Sequence, residues 1–305
     1  MGANTNFASF TPIDTTSGQG AGGDAANVTK GGRTFTPGNA STGTRVTFST
    51  PSTGGKWYCE FYCGGSSIGN YAWIGYYPTG ETGIMKKQWI PSGNTTWKDT
   101  GIVSFHSMGR YFYTENQYTD SGAVSFTAGD IIQIALDLDN GATYYGKNNT
   151  WNNSGDPTSG ASKTGEAPTE GAHSKEYSFA AGTAGSTGVA WTINAGQDST
   201  FAGNKSTGSA NSADGNGFGD FYYAPPSGYL SLCSANLQMA EEIDPAQTDD
   251  DHPVKQFGVV TLTGNGTART ISGLGFQPDF IFGKRRDGGK RGYTVDSSRG
   301  FTKYL

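Results

Sequence analysis

Residues 129–147, GDIIQIALDLDNGATYYGK, restrict the possible folds more than any other stretch of the chain. Ile132, Ile134, Leu136 and Leu138 recur at every second position and therefore share one face of a pleated strand. Ile131, Gln133, Ala135 and Asp137 line the other, more polar face. Asn140-Gly141 fits the two positive-φ positions of a type I′ hairpin turn. Such a turn sets Leu138 opposite Thr143 and Leu136 opposite Tyr145, so Tyr145 joins the apolar face and Tyr144 falls beside Asp137. An apolar stripe on a hairpin needs a second sheet to cover it.

The rest of the chain can supply that sheet. Trp57, Cys59 and Phe61 alternate with Tyr58, Glu60 and Tyr62. Further strands are expected at 71–77, at two places within 102–113 broken at Ser107-Met108-Gly109, and at 176–180, 188–194 and 229–234. No ten-residue segment carries a 3.6-residue apolar period, and 238–243 offers at most a turn of helix. The expected fold is all-β, a two-sheet antiparallel sandwich over residues 1–240. Residues 1–55 hold isolated apolar residues among Gly, Thr, Ser and Asn. They read as one or two strands and a long arm laid across a neighbour. Two polar excursions, 148–175 and 197–220, exceed ordinary loop lengths.

A charged, proline-containing linker follows at 241–256, EEIDPAQTDDDHPVKQ. Beyond it, 257–305 reads as a second small β unit with strands at 257–263, 267–271, 279–282 and 293–295. Four short strands make a thin core. The unit is expected to be incomplete, continued by further chain or completed by another copy.

Composition excludes several classes. The 48 glycines follow no collagen period, and 16 Tyr, 17 Phe and 6 Trp bury more surface than a disordered chain offers. No run reaches the roughly 20 apolar residues of a membrane-spanning helix. The start, MGANTNFASF, lacks the pattern of a signal peptide, which points to folding in a cytoplasm. Three cysteines, Cys59, Cys63 and Cys233, argue for reduced core thiols rather than a disulfide framework. Residues 284–305 carry a net charge of +5 against −10 for the remainder. A Gly-Gly turn interrupts that basic run and no aromatic residues interleave it, so a solvated turn or an acidic neighbouring subunit fits better than nucleic acid.

Catalytic signals are sparse. His106, His173 and His252 lie on a strand, in a loop and in the linker, with no G-x-S-x-G elbow in the chain. No His/Cys spacing suits zinc. Asp137-x-Asp139-x-Gly141 is a fragment of a calcium loop, but the hairpin explains the same residues. Gly215-x-Gly217-x-Gly219 lacks the strand–helix setting of a phosphate cradle. Glu60, Asp137 and Asp139 are the carboxylates open to a glycosidase pair. No cofactor and no metal is expected.

Several motifs resemble known families. Gly129-Asp130, the apolar strand, Asp139-Asn140-Gly141, Tyr144-Tyr145 and Lys147-Asn148 are similar to the hairpin of SPRY domains. Gly55-Lys56-Trp57-Tyr58 with Glu60, the lead-in Asn6-Phe7 with Pro12, and Asn194-Ala195-Gly196-Gln197 match further elements of that family. Ala224-Pro225-Pro226-Ser227-Gly228-Tyr229 followed by Leu232-Cys233-Ser234-Ala235-Asn236-Leu237 resembles the ending of SPRY-like domains in bacteriophage virion proteins. The resemblance covers about residues 6–238. The second unit, with Gly273-Leu274-Gly275-Phe276-Gln277-Pro278-Asp279-Phe280 and Asp296-Ser297-Ser298-Arg299-Gly300, resembles a module of phage tail and appendage proteins.

The resemblance implies a non-enzymatic virion protein, a fibre or a tail or capsid appendage, located on the particle. Its partners would be other virion proteins, copies of itself in a homotrimer, and a glycan or protein of the host surface, with no membrane insertion. Trp89, Trp97, Tyr118 and Trp151 in polar loops are the binding candidates: exposed, they stack on sugars or peptides, and buried, they cap the core. Asp139, Asn140, Gly141, Pro225, Pro226 and Gly228 are the structural signature. The rival readings are a fibre-borne polysaccharide depolymerase and a bacterial lectin-like adhesive protein.

Overall fold

The computed structural model describes residues 6–11, 16–17, 27–38, 41–52, 54–69, 72–79, 104–113, 117–119, 122–168, 173, 175–184, 188–207, 212–237, 257–267, 270–272, 274, 276–289, 292–300 and 303. The chain divides into two units, Met1–Gln238 and Met239–Leu305.

Short strands open the first unit: β1 (Thr16–Ser17), β2 (Asn27–Thr29), β3 (Thr34–Thr36) and β4 (Ser41–Arg45). Then come β5 (Lys56–Ser67), β6 (Ala72–Pro78), β7 (Ser104–His106), β8 (Arg110–Tyr113) and β9 (Gln117–Thr119). The hairpin is β10 (Ile131–Asp137) and β11 (Ala142–Lys147), followed by β12 (Thr150–Trp151), β13 (Tyr177–Ala184), β14 (Gly188–Asn194) and β15 (Leu230–Ser231). One sheet runs β1-β4-β13-β6-β7-β8-β9 and the other β12-β11-β10-β5-β14-β3-β2. Pairing is antiparallel throughout, except that β15 adds to β5 in parallel. The fold is the expected all-β two-sheet sandwich.

The inner faces carry the core. Ile132, Ile134, Leu136 and Tyr145 from the hairpin meet Ile74, Tyr76, Phe105 and Phe179 of the facing sheet, all buried in one cluster. Trp191 lies in the middle of it, edge-on to Phe61 and Phe126, and its indole N–H donates to Gly182 O of the opposite sheet at 2.9 Å. That bond crosses the sandwich.

The hairpin loop corrects the expected turn. Asp137 pairs with Ala142 and Leu136 with Thr143, so Leu138, Asp139, Asn140 and Gly141 form a four-residue loop. Only Gly141 among them has positive φ, at 65°. The Asp137 carboxylate accepts from the Asn140 backbone N–H at 3.0 Å and its side-chain amide at 2.8 Å, which stabilises the four-residue loop in place of a two-residue I′ turn. Asp139 accepts from Gly55 N–H at 2.7 Å and ties the loop to the start of β5. The register shift is two residues, an even number, so every side chain keeps its expected face.

One further expectation changes. The described residues 6–11 are not an arm on a neighbour. Ala8 and Phe10 are buried, Phe7 bridges Cys233, and Phe10 bridges Val46. Backbone N–H groups there would be orphaned in isolation; pairing with Leu232, Gly32 and Arg45 satisfies them. The closing motif is a turn: Tyr229 N–H bonds Pro226 O, and Gly228 takes φ 84°, a conformation open to glycine. Pro225 and Pro226 are half-buried there.

In the second unit, β16 (Phe280–Gly283) pairs antiparallel with β17 (Tyr293–Asp296). The expected strand at 257–263 is absent, because its backbone finds no ladder partner among the described residues. Phe257, Phe280 and Phe282 stand 76%, 62% and 62% exposed. The expected linker at 241–256 lies outside the described residues.

Candidate functional site

A strand buried on one face alternates with solvent on the other. Here β10 and β5 are buried on both faces, because the two long polar excursions fold back over the outer side of the β10–β5 sheet. Tyr58, Ala135, Ala142, Tyr144, Phe221 and Tyr229 form a second, smaller core there, with Trp151 packed against it. The Tyr229 hydroxyl donates to Pro157 O at 3.0 Å, and Ala167 N–H bonds Thr143 O at 2.7 Å. The first bond ties the 148–175 excursion to the closing segment, and the second ties it to the sheet.

Across this outer face runs one register row: Asn194 opposite Glu60, Glu60 opposite Gln133, Gln133 opposite Gly146, and Gly146 opposite Trp151. Glu60 is fully buried and surrounded by donors. The backbone N–H groups of Tyr222 and Tyr223 reach its two oxygens at 2.9 and 2.7 Å, the Tyr58 hydroxyl donates at 3.0 Å, and the Asn194 amide at 3.1 Å. Gln133 continues the network, donating to the Tyr58 hydroxyl and accepting from Asn149 N–H. A buried carboxylate ringed by donors is a clasp: it fixes residues 221–223 on the sheet.

Burial raises the Glu60 carboxyl to about 7, while the bonds from Tyr223, Tyr222, Tyr58 and Asn194 pull the other way. The folded form therefore binds the proton more readily than the unfolded chain. The stability this confers is present below about 4.5 and lost as pH rises through about 7. Relative to Glu60→Gln, which does not titrate, the wild-type unfolding free energy falls by roughly 3 kcal/mol over that window. Denaturant melts of the pair at half-unit pH steps check this; parallel curves would contradict it.

The other carboxylates are also committed. Asp137 is buried and pairs with Lys56 at 3.0 Å. Asp214 accepts from Ser231 N–H, the Ser231 hydroxyl and the Asn236 amide, locking the closing segment. Asp198 pairs with Arg33 and caps the turn at Thr200 and Ala202. Gln197 accepts from Ala195 N–H and donates to Ala8 O, so the Asn194–Gln197 element clasps the entry segment. Among the described residues no three His, Cys, Asp or Glu side chains group as metal ligands.

His106, His173, Cys59 and Cys63 are poor reagents where they stand, and His252 lies outside the described residues. Burial pulls His106 down to about 3 and His173 to about 4, the latter helped by Lys163. His173 bonds the Tyr76 hydroxyl at 2.9 Å, inside the end of the sandwich. Burial pushes the Cys59 and Cys63 thiols up, away from the reactive thiolate.

Of the four loop aromatics, Trp151 lies on β12 at the sheet's edge, half-buried over Gly146. A Cβ at Gly146 would sit 3.1 Å from the indole and 3.2 Å from Gln133, so glycine there lets the ring lie close. Tyr118 is on β9, opposite Phe112 in register, rather than in a loop. Trp89 and Trp97 lie outside the described residues. Sequence reading missed Glu60 as a clasp and the aromatic group beside it. Tyr62 projects from the outer face of β5, and its ring lies 6.0 Å from that of Phe201. Phe201 is 6.1 Å from Tyr222, which meets Tyr223 edge-on at 4.9 Å. The alternation Tyr58, Glu60, Tyr62 is the available signal: it puts three large or polar side chains together on one face of the strand.

Comparison with known proteins adds two findings. Residues 252–305 match a family described as "Domain of unknown function (DUF7483)". No curated protein matches the chain. Among solved structures it is similar to the SPRY domain of human HERC1, at 19% identity and TM-score 0.40, over 60% of this chain and 96% of that one. It is also similar to the PSpry domain of TRIM65, at 10% identity and TM-score 0.38, over 62% of this chain and 92% of that one. A human SPRY domain is similar at 12% identity and TM-score 0.33, over 63% and 96%. The likeness is one of chain path and brings no partner or chemistry with it.

Proposed function

We propose that this chain is a non-enzymatic structural protein of a bacteriophage particle, a fibre or a tail or capsid appendage. The sandwich serves as a rigid binding module for assembly and host-surface attachment, and the second unit contributes contacts to other virion chains. The observation that carries this reading is the exposed apolar side chains among the described residues of the second unit. Phe280, Ile281, Phe282 and Tyr293 are exposed on its two-stranded sheet, and Phe257 and Val259 are exposed upstream in sequence. Clustered exposed apolar residues mark a protein interaction surface, and two strands are marginal without further cover. The sequence resemblance to phage appendage modules supplies the setting.

The depolymerase alternative draws no support from Glu60, Asp137 and Asp139, whose oxygens are engaged in holding the fold. Self-association is the direct expectation. Sedimentation of the full chain at micromolar concentration should give the mass of three chains, and Phe280→Ser with Phe282→Ser should shift it to one. A mass of one chain for the wild type would contradict the assembly role. Cleavage of host polysaccharide by intact particles, abolished by substitution of a carboxylate in this chain, would replace the reading with an enzymatic one.

A further inference from the structure

We propose that the ledge formed by Tyr62, Tyr222 and Tyr223 on the outer face of the β10–β5 sheet is a carbohydrate-binding surface. It rests on the attachment reading and gives it a site and a ligand class.

The ledge is built rather than incidental. Phe201 lies beneath it, fully buried, and joins Tyr62 to Tyr222 in one continuous row of rings. To reach that place Phe201 takes φ 50° and Ala202 φ 57°, two consecutive left-handed residues, neither of them glycine. Each is an unfavourable conformation for a residue that carries a Cβ. The cost is met by Asp198, which accepts from Thr200 N–H at 2.9 Å and Ala202 N–H at 2.9 Å. On the far side, the Glu60 carboxylate holds the backbones of Tyr222 and Tyr223. Two independent clasps therefore position one set of rings, and a surface with fixed backbone loses little entropy on binding.

The chemistry of the ledge suits a sugar. Tyr58, Phe221, Tyr144 and Tyr229 of the same face are sealed, while Tyr62, Tyr222 and Tyr223 remain half-exposed. A phenol ring offers a flat apolar face to the C–H side of a pyranose and a hydroxyl to its rim, with two rotors to freeze. Lys205 stands at the ledge, its ammonium 5.5 Å from the Tyr62 ring and bonded to Gly129 O. Burial raises the Tyr223 phenol, and after Tyr222 and Glu60 the nearby Asp130 carboxylate adds a smaller push. Together they give sugar hydroxyls a donor and an acceptor. A peptide partner needs a pocket for its anchoring side chain, and the space beneath these rings is filled by Phe201, Tyr58 and Glu60, all fully buried. Nucleic acid is disfavoured by Asp130 and by the acidic balance of residues 1–283.

The test is an array of immobilised bacterial oligosaccharides of defined structure, probed with the full chain and with Tyr222→Ala/Tyr223→Ala. The Glu60 clasp uses backbone N–H groups, so the variant keeps it, and a melting temperature within a few degrees of wild type establishes that. Wild type should bind at least one glycan, and the variant should bind it at least tenfold more weakly. In wild-type protein the same glycan in solution should shield Tyr222 and Tyr223 from nitration by tetranitromethane, a readout that needs no substitution. Absence of any glycan binding, equal binding by the variant, or unshielded tyrosines would overturn the proposal, as would retention of host surface protein alone. A chain located on particles yet blind to saccharides would overturn the ledge and leave the structural role standing.

Discussion

Replacing Glu60 by alanine destabilises the sandwich by about 3–5 kcal/mol at neutral pH, through several buried neutral donors left without an acceptor. The substitution strands four donors at once: Tyr222 N–H, Tyr223 N–H, the Tyr58 hydroxyl and the Asn194 amide. Each buried donor left without an acceptor costs about 1–3 kcal/mol. Partial relaxation keeps the total below their sum. Tyr58 retains its bond from Gln133, and Asn194 keeps Asp220 O. For a unit of this length the melting temperature drops by about 10 °C or more. Glu60→Gln keeps the volume but presents an amide donor to two of the four donors, so it sits between wild type and alanine. A loss below about 1 kcal/mol for the alanine variant, by denaturant melt, would show that the excursions do not depend on this clasp. The variant should also loosen residues 221–223, seen as faster amide exchange at Tyr222 and Tyr223, while exchange in β6 and β13 is unchanged.

Trp191→Ala has an effect of similar size for a different reason. Large-to-small substitution of a buried tryptophan costs about 3–5 kcal/mol, from lost transfer energy and the cavity left behind. Trp191 is fully buried, with Phe35 and Cys63 opposite it on the flanking strands, and its bond to Gly182 O is the direct tie between the two sheets in this region. Trp191→Phe fills most of the volume but loses the indole N–H bond across the sandwich, so it should lose about 1–2 kcal/mol. The comparison separates packing from the cross-sheet bond. Equal losses for both variants would place all of the effect in the hydrogen bond.

What could be read in advance followed side-chain periodicity. The inner faces of β5, β10 and β11 were legible because alternation survives any even shift of register, and the four-residue loop shifted the pairing by two. The loop itself was not legible, because Asn-Gly suits a I′ turn equally well. The choice falls to Asp137, whose carboxylate captures Asn140 and whose burial depends on Lys56, far away in sequence. The outer core was hidden for a related reason. Residues 148–175 and 197–220 look like solvated loops by composition. Their described residues are held through long-range bonds such as Tyr229 to Pro157 and Lys205 to Gly129, which no local pattern announces. Glu60 reads in sequence as a strand carboxylate open to an acid role; apart from Tyr58 on its own strand, its donors lie more than 130 residues downstream. The motif Asn194–Gln197, and Asn236 in the closing segment, were visible as resemblance, and their work as clasps became clear only with their partners Glu60, Ala8 and Asp214 in place.

The most direct test of the virion role is electron cryo-microscopy of purified particles of a phage that encodes this chain, with mass spectrometry of the same sample. Density for the two-sheet sandwich, repeated in threefold-related copies on a fibre or on a tail or capsid appendage, is the predicted result. Particles of full infectivity that lack the chain altogether, while infected-cell lysate contains it, would contradict it.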